Sequence, residues 1–112
     1  MNMAAARAYR SQAARGGVRE QEADVFRRAT GGLRAAKADP ALLGRAVADN
    51  IRLWLRVGDV LRDPANALPA GLRAGIVSVG HAVQREMGRT EPDLDFLISV
   101  NENITAGLSG AP

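Results

Sequence analysis

The chain has 112 residues, a net charge of +3, one histidine and no cysteine, with 46% hydrophobic but only 4% aromatic residues. That length bounds it to one domain burying roughly two-thirds of its unfolded surface. Without cysteine there are no disulfides, zinc–thiolate sites or thiol catalysis, and His81 alone leaves multi-histidine metal sites out of reach. No apolar run approaches the ~20 residues of a membrane span, and the opening MNMAAARAYRSQAARGG lacks the apolar core of a secretory signal. A water-soluble protein that stays in the cytoplasm is expected.

Apolar residues recur at three- and four-residue spacings and nowhere alternate, which predicts an all-α chain. Segment one, 3–14, sets Met3, Ala6, Tyr9 and Ala13 on one face and is broken by Gly16-Gly17. Residues 1–16 are therefore expected to form a weakly anchored, mobile amphipathic helix. Segment two, 18–37, runs Val18, Glu22, Val25, Ala29, Gly32 and Ala36 along a thin stripe widened by Phe26 and Leu33. Asp39-Pro40 then reads as an N-cap followed by proline in the first helical turn.

Segment three, 40–62, is the strongest, with Leu43, Val47, Ile51, Trp54, Gly58 and Leu61 on one face, flanked by Leu42, Leu55 and Val57. Asp63 and Pro64 end it, Leu68 is pushed extended by Pro69, and Pro69 opens the next helix. A tight αα-hairpin at 63–69 follows, with the Asn66 side chain expected to brace its backbone. Segment four, 69–88, carries Leu72, Ile76, Val79, Val83 and Met87 on one side and Gly71, Ala74, Gly75, Ser78 and Ala82 on another, which places it centrally with both sides buried. Segment five, 91–108, runs Leu94, Leu97, Asn101, Ile104 and Leu108 with Ile98 beside them, entered through Thr90 as N-cap with Asp93 three residues on. The expected architecture is a single-domain bundle of four to five helices spanning 1–112.

No catalytic constellation emerges. There is no phosphate loop, dinucleotide fingerprint or nucleophile elbow, and Asp93 and Asp95 are explained by the positive end of a helix dipole. The sequence predicts no enzyme, no metal site and no cofactor. What remains is protein binding. Trp54 either anchors the core or faces a partner; Asn50 and Asn101, on or beside apolar stripes, either fix helix register or contact a ligand. Segments one and two hold most of the positive charge: residues 1–38 have eight bases and three acids, residues 39–112 seven and nine. Their thin stripes would let them swing from the better-packed hairpin, opening a groove for an amphipathic partner helix. Candidate contacts are Tyr9, Phe26, Leu33, Asn50, Trp54, Ile76, Val83 and Asn101.

The segment DNIRLWLRVGDVLRDPANALPAGLRAGIVSVGHAV (49–83) followed by FLISVNENITAGL (96–108) resembles the FlaF family of flagellar biosynthesis regulators. Asn50, Leu53 and Trp54 match its N-x-x-L-W helix, and Asp63, Pro64, Asn66, Leu68 and Pro69 its D-P-x-N-x-L-P turn. Leu72, Arg73, Ala74 and Ile76 match the helix after the turn, and Ile98, Asn101, Ile104, Gly107 and Leu108 the final segment. Gly75 and Val100 depart from the pattern without altering its spacing. The resemblance implies a cytoplasmic, helical, non-enzymatic protein that promotes flagellin synthesis and export, acting alongside FlbT. Within it, a chaperone binding the terminal helical segments of flagellin is the favoured expectation. The alternative is a post-transcriptional regulator of flagellin mRNA, acting through FlbT or through Arg7, Arg10, Arg15, Arg19, Arg27, Arg28 and Arg34. Direct RNA contact is disfavoured because the basic half has little to stack on bases and the last helix is acidic.

Overall fold

A computed structural model describes residues 22–108 of the chain, and the segment 3–14 and Tyr9 lie outside that range. Four α-helices follow one another: α1 over 22–38, α2 over Leu43–Arg62, α3 over Ala70–Met87 and α4 over Leu94–Leu108. No strand occurs among the described residues, and the domain is all-α.

Contacts fix the topology. Phe26 meets Trp54, and Gly32 meets Ala46, so α1 and α2 run antiparallel. Asn50 reaches Met87, and Trp54 lies against Gly80, so α2 and α3 are antiparallel too. Ion pairs Arg34–Glu102 and Lys37–Asp95 set α4 antiparallel to α1. The result is an up-down-up-down bundle in which short connections join antiparallel neighbours. One end holds the 88–93 connection and the 39–42 turn. The other holds the first residues of α1, the 63–69 hairpin and the last residues of α4.

The fully buried side chains Leu33, Val83 and Leu97 fill the core with Phe26, Trp54, Leu53 and Met87. The inward stripe of α1 is Ala23, Phe26, Thr30, Leu33 and Ala36: the expected Phe26, Leu33 and Ala36 are buried, and Val25, Ala29 and Gly32 are half-buried beside them. Thr30 belongs inside because its hydroxyl donates to the Phe26 carbonyl at 2.7 Å, which removes the penalty of burying it. This helix is seated in the core, not swung away from it.

Other boundaries and faces also differ from expectation. Segment three opens as a 3₁₀ turn, Pro40–Leu42, with Asp39 capping through the Ala41 N–H at 3.1 Å. Its buried face is Ala46, Asn50, Leu53, Trp54 and Leu61, which leaves Ile51, Leu55 and Leu42 exposed. Helix α4 starts at Leu94, not 91, and Asp93 is its cap: the carboxylate accepts from the Phe96 N–H at 3.0 Å. Pro92 is the cause, since it biases Glu91 away from helical geometry and denies Thr90 the capping role. Helix α3 is not central. Only Gly80, Val83 and Met87, all in its second half, are buried, while Leu72 and Val79 are exposed.

Candidate partner-binding site

The hairpin is built by the residues that spell it. Asp63 accepts from the Ala65 N–H at 2.9 Å, and its carbonyl accepts from the Asn66 N–H at 2.9 Å. Asn66 works in both directions: its Oδ1 accepts from the Leu68 N–H at 2.9 Å and its Nδ2 donates to the Val60 carbonyl at 3.0 Å. Arg73 reaches back to the Leu68 carbonyl at 3.3 Å. Pro64 and Pro69 bracket these bonds, lack backbone donors of their own, and leave nothing for a continuing helix to use.

This hairpin keeps the ends of α2 and α3 apart, and the first turns of α3 do little to fill the space. Ala70, Gly71, Ala74 and Gly75 are small, and Leu72 turns outward with 52% of its surface exposed. An apolar groove of about 90 Å³ therefore opens at this end of the bundle. Val25 and Phe26 of α1 form one wall, and Val57, Val60 and Leu61 of α2 another. Leu68 of the hairpin, Ile76 of α3 and Ile104 of α4 close the remaining side, with Glu22 and Arg56 among the lining residues. The space is several times what one water needs, and most of its lining is aliphatic or aromatic, offering shape and hydrophobic contact. Among the described residues no cluster of His, Asp and Glu could hold a metal ion, and no helix is long and apolar enough to cross a membrane.

Beneath the groove lies a buried polar chain. Trp54 Nε1–H donates to Asn101 Oδ1 at 3.0 Å, Asn101 Nδ2 donates to Asn50 Oδ1 at 2.8 Å, and Asn50 Nδ2 donates to the Met87 sulfur at 3.1 Å. The two asparagines are 0% exposed and Trp54 2%. Phe26 packs its ring edge-on to Trp54, centroids 5.9 Å apart at 86°. Beside the same indole, a Cβ on Gly80 would lie 3.5 Å from Trp54, so α3 approaches closely where it has no side chain. No buried side-chain polar atom among the described residues lacks a partner.

Of the candidate contacts named from sequence, Phe26 and Ile76 line the groove. Leu33, Val83, Asn50, Asn101 and Trp54 lie in the core, where a partner does not touch them in the closed bundle. The sequence reading missed Val60 and Leu68 as groove residues and gave Val57, Leu61 and Ile104 to the core stripes. One signal was available: all five sit in the hairpin or within about two turns of a helix end, and an up-and-down topology brings those ends together.

The chain matches the family model described as flagellar protein FlaF over residues 5–108. Neither a curated protein nor a solved structure matches it. The residues that carried the resemblance have physical duties: Asp63, Pro64, Asn66, Leu68 and Pro69 shape the hairpin, and Asn50, Trp54 and Asn101 form the buried chain. With nearly the whole length matched and those motifs in place, the chain belongs to the FlaF family of flagellar proteins.

Proposed function

We propose that this protein is a cytoplasmic chaperone for flagellin, taking an apolar side-chain cluster from one of flagellin's terminal helical segments into the groove at the hairpin end. Such segments are helix-forming, and outside a filament their apolar faces lack partners and invite aggregation. Masking them keeps the client soluble and exportable without any chemical step. The observation that carries this reading is the groove itself: an apolar recess whose lining includes Val57, Leu68, Ile76 and the exposed Val60, 38% open to solvent. Each buried Leu- or Phe-sized anchor contributes about 1.5–3 kcal/mol. Two or three such anchors at i, i+3/i+4 and i+7 give a grip that holds yet releases.

Of the arginines an RNA-binding mode would use, Arg27 pairs with Asp24 and Arg34 with Glu102, which lowers their availability for phosphate. Titration of the full chain with the amino- and carboxy-terminal segments of flagellin, followed by calorimetry, tests the proposal. At least one segment should bind with Kd below about 100 µM, tighter than nonspecific contact. Ile76→Asp and Val60→Asp should each weaken it about tenfold or more, with helix content unchanged, because a carboxylate in the recess would have to be desolvated. Binding of neither segment, or tight salt-sensitive binding of the flagellin leader RNA instead, overturns the chaperone role. Capture of FlbT alone would make the groove an adaptor surface.

A further inference from the structure

We infer that a helix seated in the hairpin groove continues along the seam between α1 and α2 and carries a carboxylate there, read by Arg28, Arg52 and Arg56. The groove does not end at Val25 and Leu53. Those two residues and Arg56 also line a second, wider cleft of about 300 Å³ that runs on between the two helices. Its floor is apolar: Leu53 is buried, and Val25 and Ala29 are half-buried. Its rim is cationic, with Arg28, Arg52 and Arg56 all exposed and Asp49 the one carboxylate beside them. Phe26 meets Trp54 and Gly32 meets Ala46, so the antiparallel register brings Arg28 roughly level with Arg52.

Positive charge is left over at this seam. Arg52 pairs with Asp49 at 2.8 Å, whereas Arg28 and Arg56 pair with no acid among the described residues. A guanidinium takes a carboxylate through a two-pronged hydrogen bond, and its stem adds apolar contact to the floor. Glu22 lines the hairpin groove and repels an acid there, so the charge pattern has a direction: apolar anchors at the hairpin, acid farther along. On α2, Arg52 precedes Val60 by eight residues, roughly 12 Å. A client helix alongside α2 therefore needs its acid seven or eight residues from the anchor, which is the same helical face. Nucleic acid suits the cleft less well: no aromatic side chain lines it for base stacking, and Asp49 repels phosphate. Exposed pairs are individually weak and fade with salt, so they set the client's register and identity more than its grip.

This placement presupposes that the groove takes a client helix, so two designed helical peptides serve as probes beside the flagellin segments. Both peptides carry the same leucines at i and i+4; one has glutamate and the other lysine seven and eight residues beyond them. In about 50 mM salt, where screening is modest, the glutamate peptide should bind the full chain at least about fivefold tighter than the lysine peptide. Arg28→Gln/Arg56→Gln should cut that ratio below about twofold at unchanged helix content, since both side chains are exposed. Arg45→Gln/Arg85→Gln removes the same charge from exposed sites outside the groove and the seam and should leave the ratio intact. Equal binding of the two peptides, or binding of neither, overturns the inference. So does a ratio that both double variants lower alike, which would be the pull of the net +3 charge. Binding of the flagellin leader RNA that is lost in Arg28→Gln/Arg56→Gln, without any preference between the peptides, also overturns it and gives the seam to nucleic acid. If the glutamate preference holds but no flagellin segment binds, the chaperone reading fails and the seam stands. If flagellin binds without that preference, the seam fails and the chaperone reading stands.

Discussion

At the scale of single residues, the most consequential side chains are the two buried asparagines. An unpaired amide or indole N–H in an apolar core costs about 1–3 kcal/mol, so this chain is stable only because every link is made. Asn101 serves two strong partners, the Trp54 N–H and the Asn50 carbonyl oxygen. Asn50 serves one strong partner and a thioether, a weak acceptor. Asn101→Ala should therefore destabilise by about 2–4 kcal/mol and Asn50→Ala by less. Urea midpoints at unchanged slope measure both. The double variant should recover at least about 0.5 kcal/mol relative to the sum, because each single change orphans a group belonging to the other. Equal single costs with strict additivity would mean that the hydrogen bonds do not act as a chain. Because Trp54, Asn101, Asn50 and Met87 come from α2, α3 and α4, the chain also registers three helices against one another. A slip of one residue would rotate an amide into hydrocarbon.

Elements differ in how plainly they could be read beforehand. The hairpin was legible almost atom by atom: two prolines, an aspartate and an asparagine each have a narrow repertoire, and local chemistry decides the outcome. Asn66→Ala removes two of its bonds, one into Val60 and one from Leu68, in a half-buried setting. It should cost about 1–2 kcal/mol, and thermal denaturation should show it while Ala67→Gly, which removes no hydrogen bond, changes much less. Helix faces were harder. Periodicity finds a stripe, but its centre depends on neighbours the sequence does not reveal. Thr30 was passed over in α1 because hydroxyls count as polar until the Phe26 carbonyl takes them. Ile51 was placed on the inward stripe by its spacing from Val47 and Trp54, with Leu55 flanking it, although α2 turns Asn50 and Leu53 to the core instead. In α3 the small residues Gly71, Ala74, Gly75, Ser78 and Ala82 suggested a second buried face. Only Gly80 makes a close approach, against Trp54, whereas a Cβ at Gly71 or Gly75 would meet nothing. The groove followed from none of these stripes singly, since it is a property of four helix ends together.

For the whole molecule, the two ends of the bundle should differ in stability. At the 88–93 end, Leu33, Ala36, Ala46, Val83, Met87 and Leu97 are buried, and the Lys37–Asp95 pair lies across the surface of α1 and α4. Exposed ion pairs of that kind contribute at most about 1 kcal/mol each, so packing decides the difference. At the hairpin end, α3 contributes a half-buried Ile76, an exposed Leu72 and small residues. Native-state hydrogen exchange should therefore place amides of 46–54, 80–87 and 97–101 at the global unfolding free energy. Amides of 70–76 and of the last turn of α2 should open below it by a sub-global route. A flagellin segment bound in the groove should raise protection at the hairpin end first, because binding energy is delivered where the open state is cheapest to reach. If 70–76 were as slow as 80–87 in the free protein, the hairpin end would be as firmly closed as the other. The groove would then be a static dimple with no capacity to adapt to a client helix.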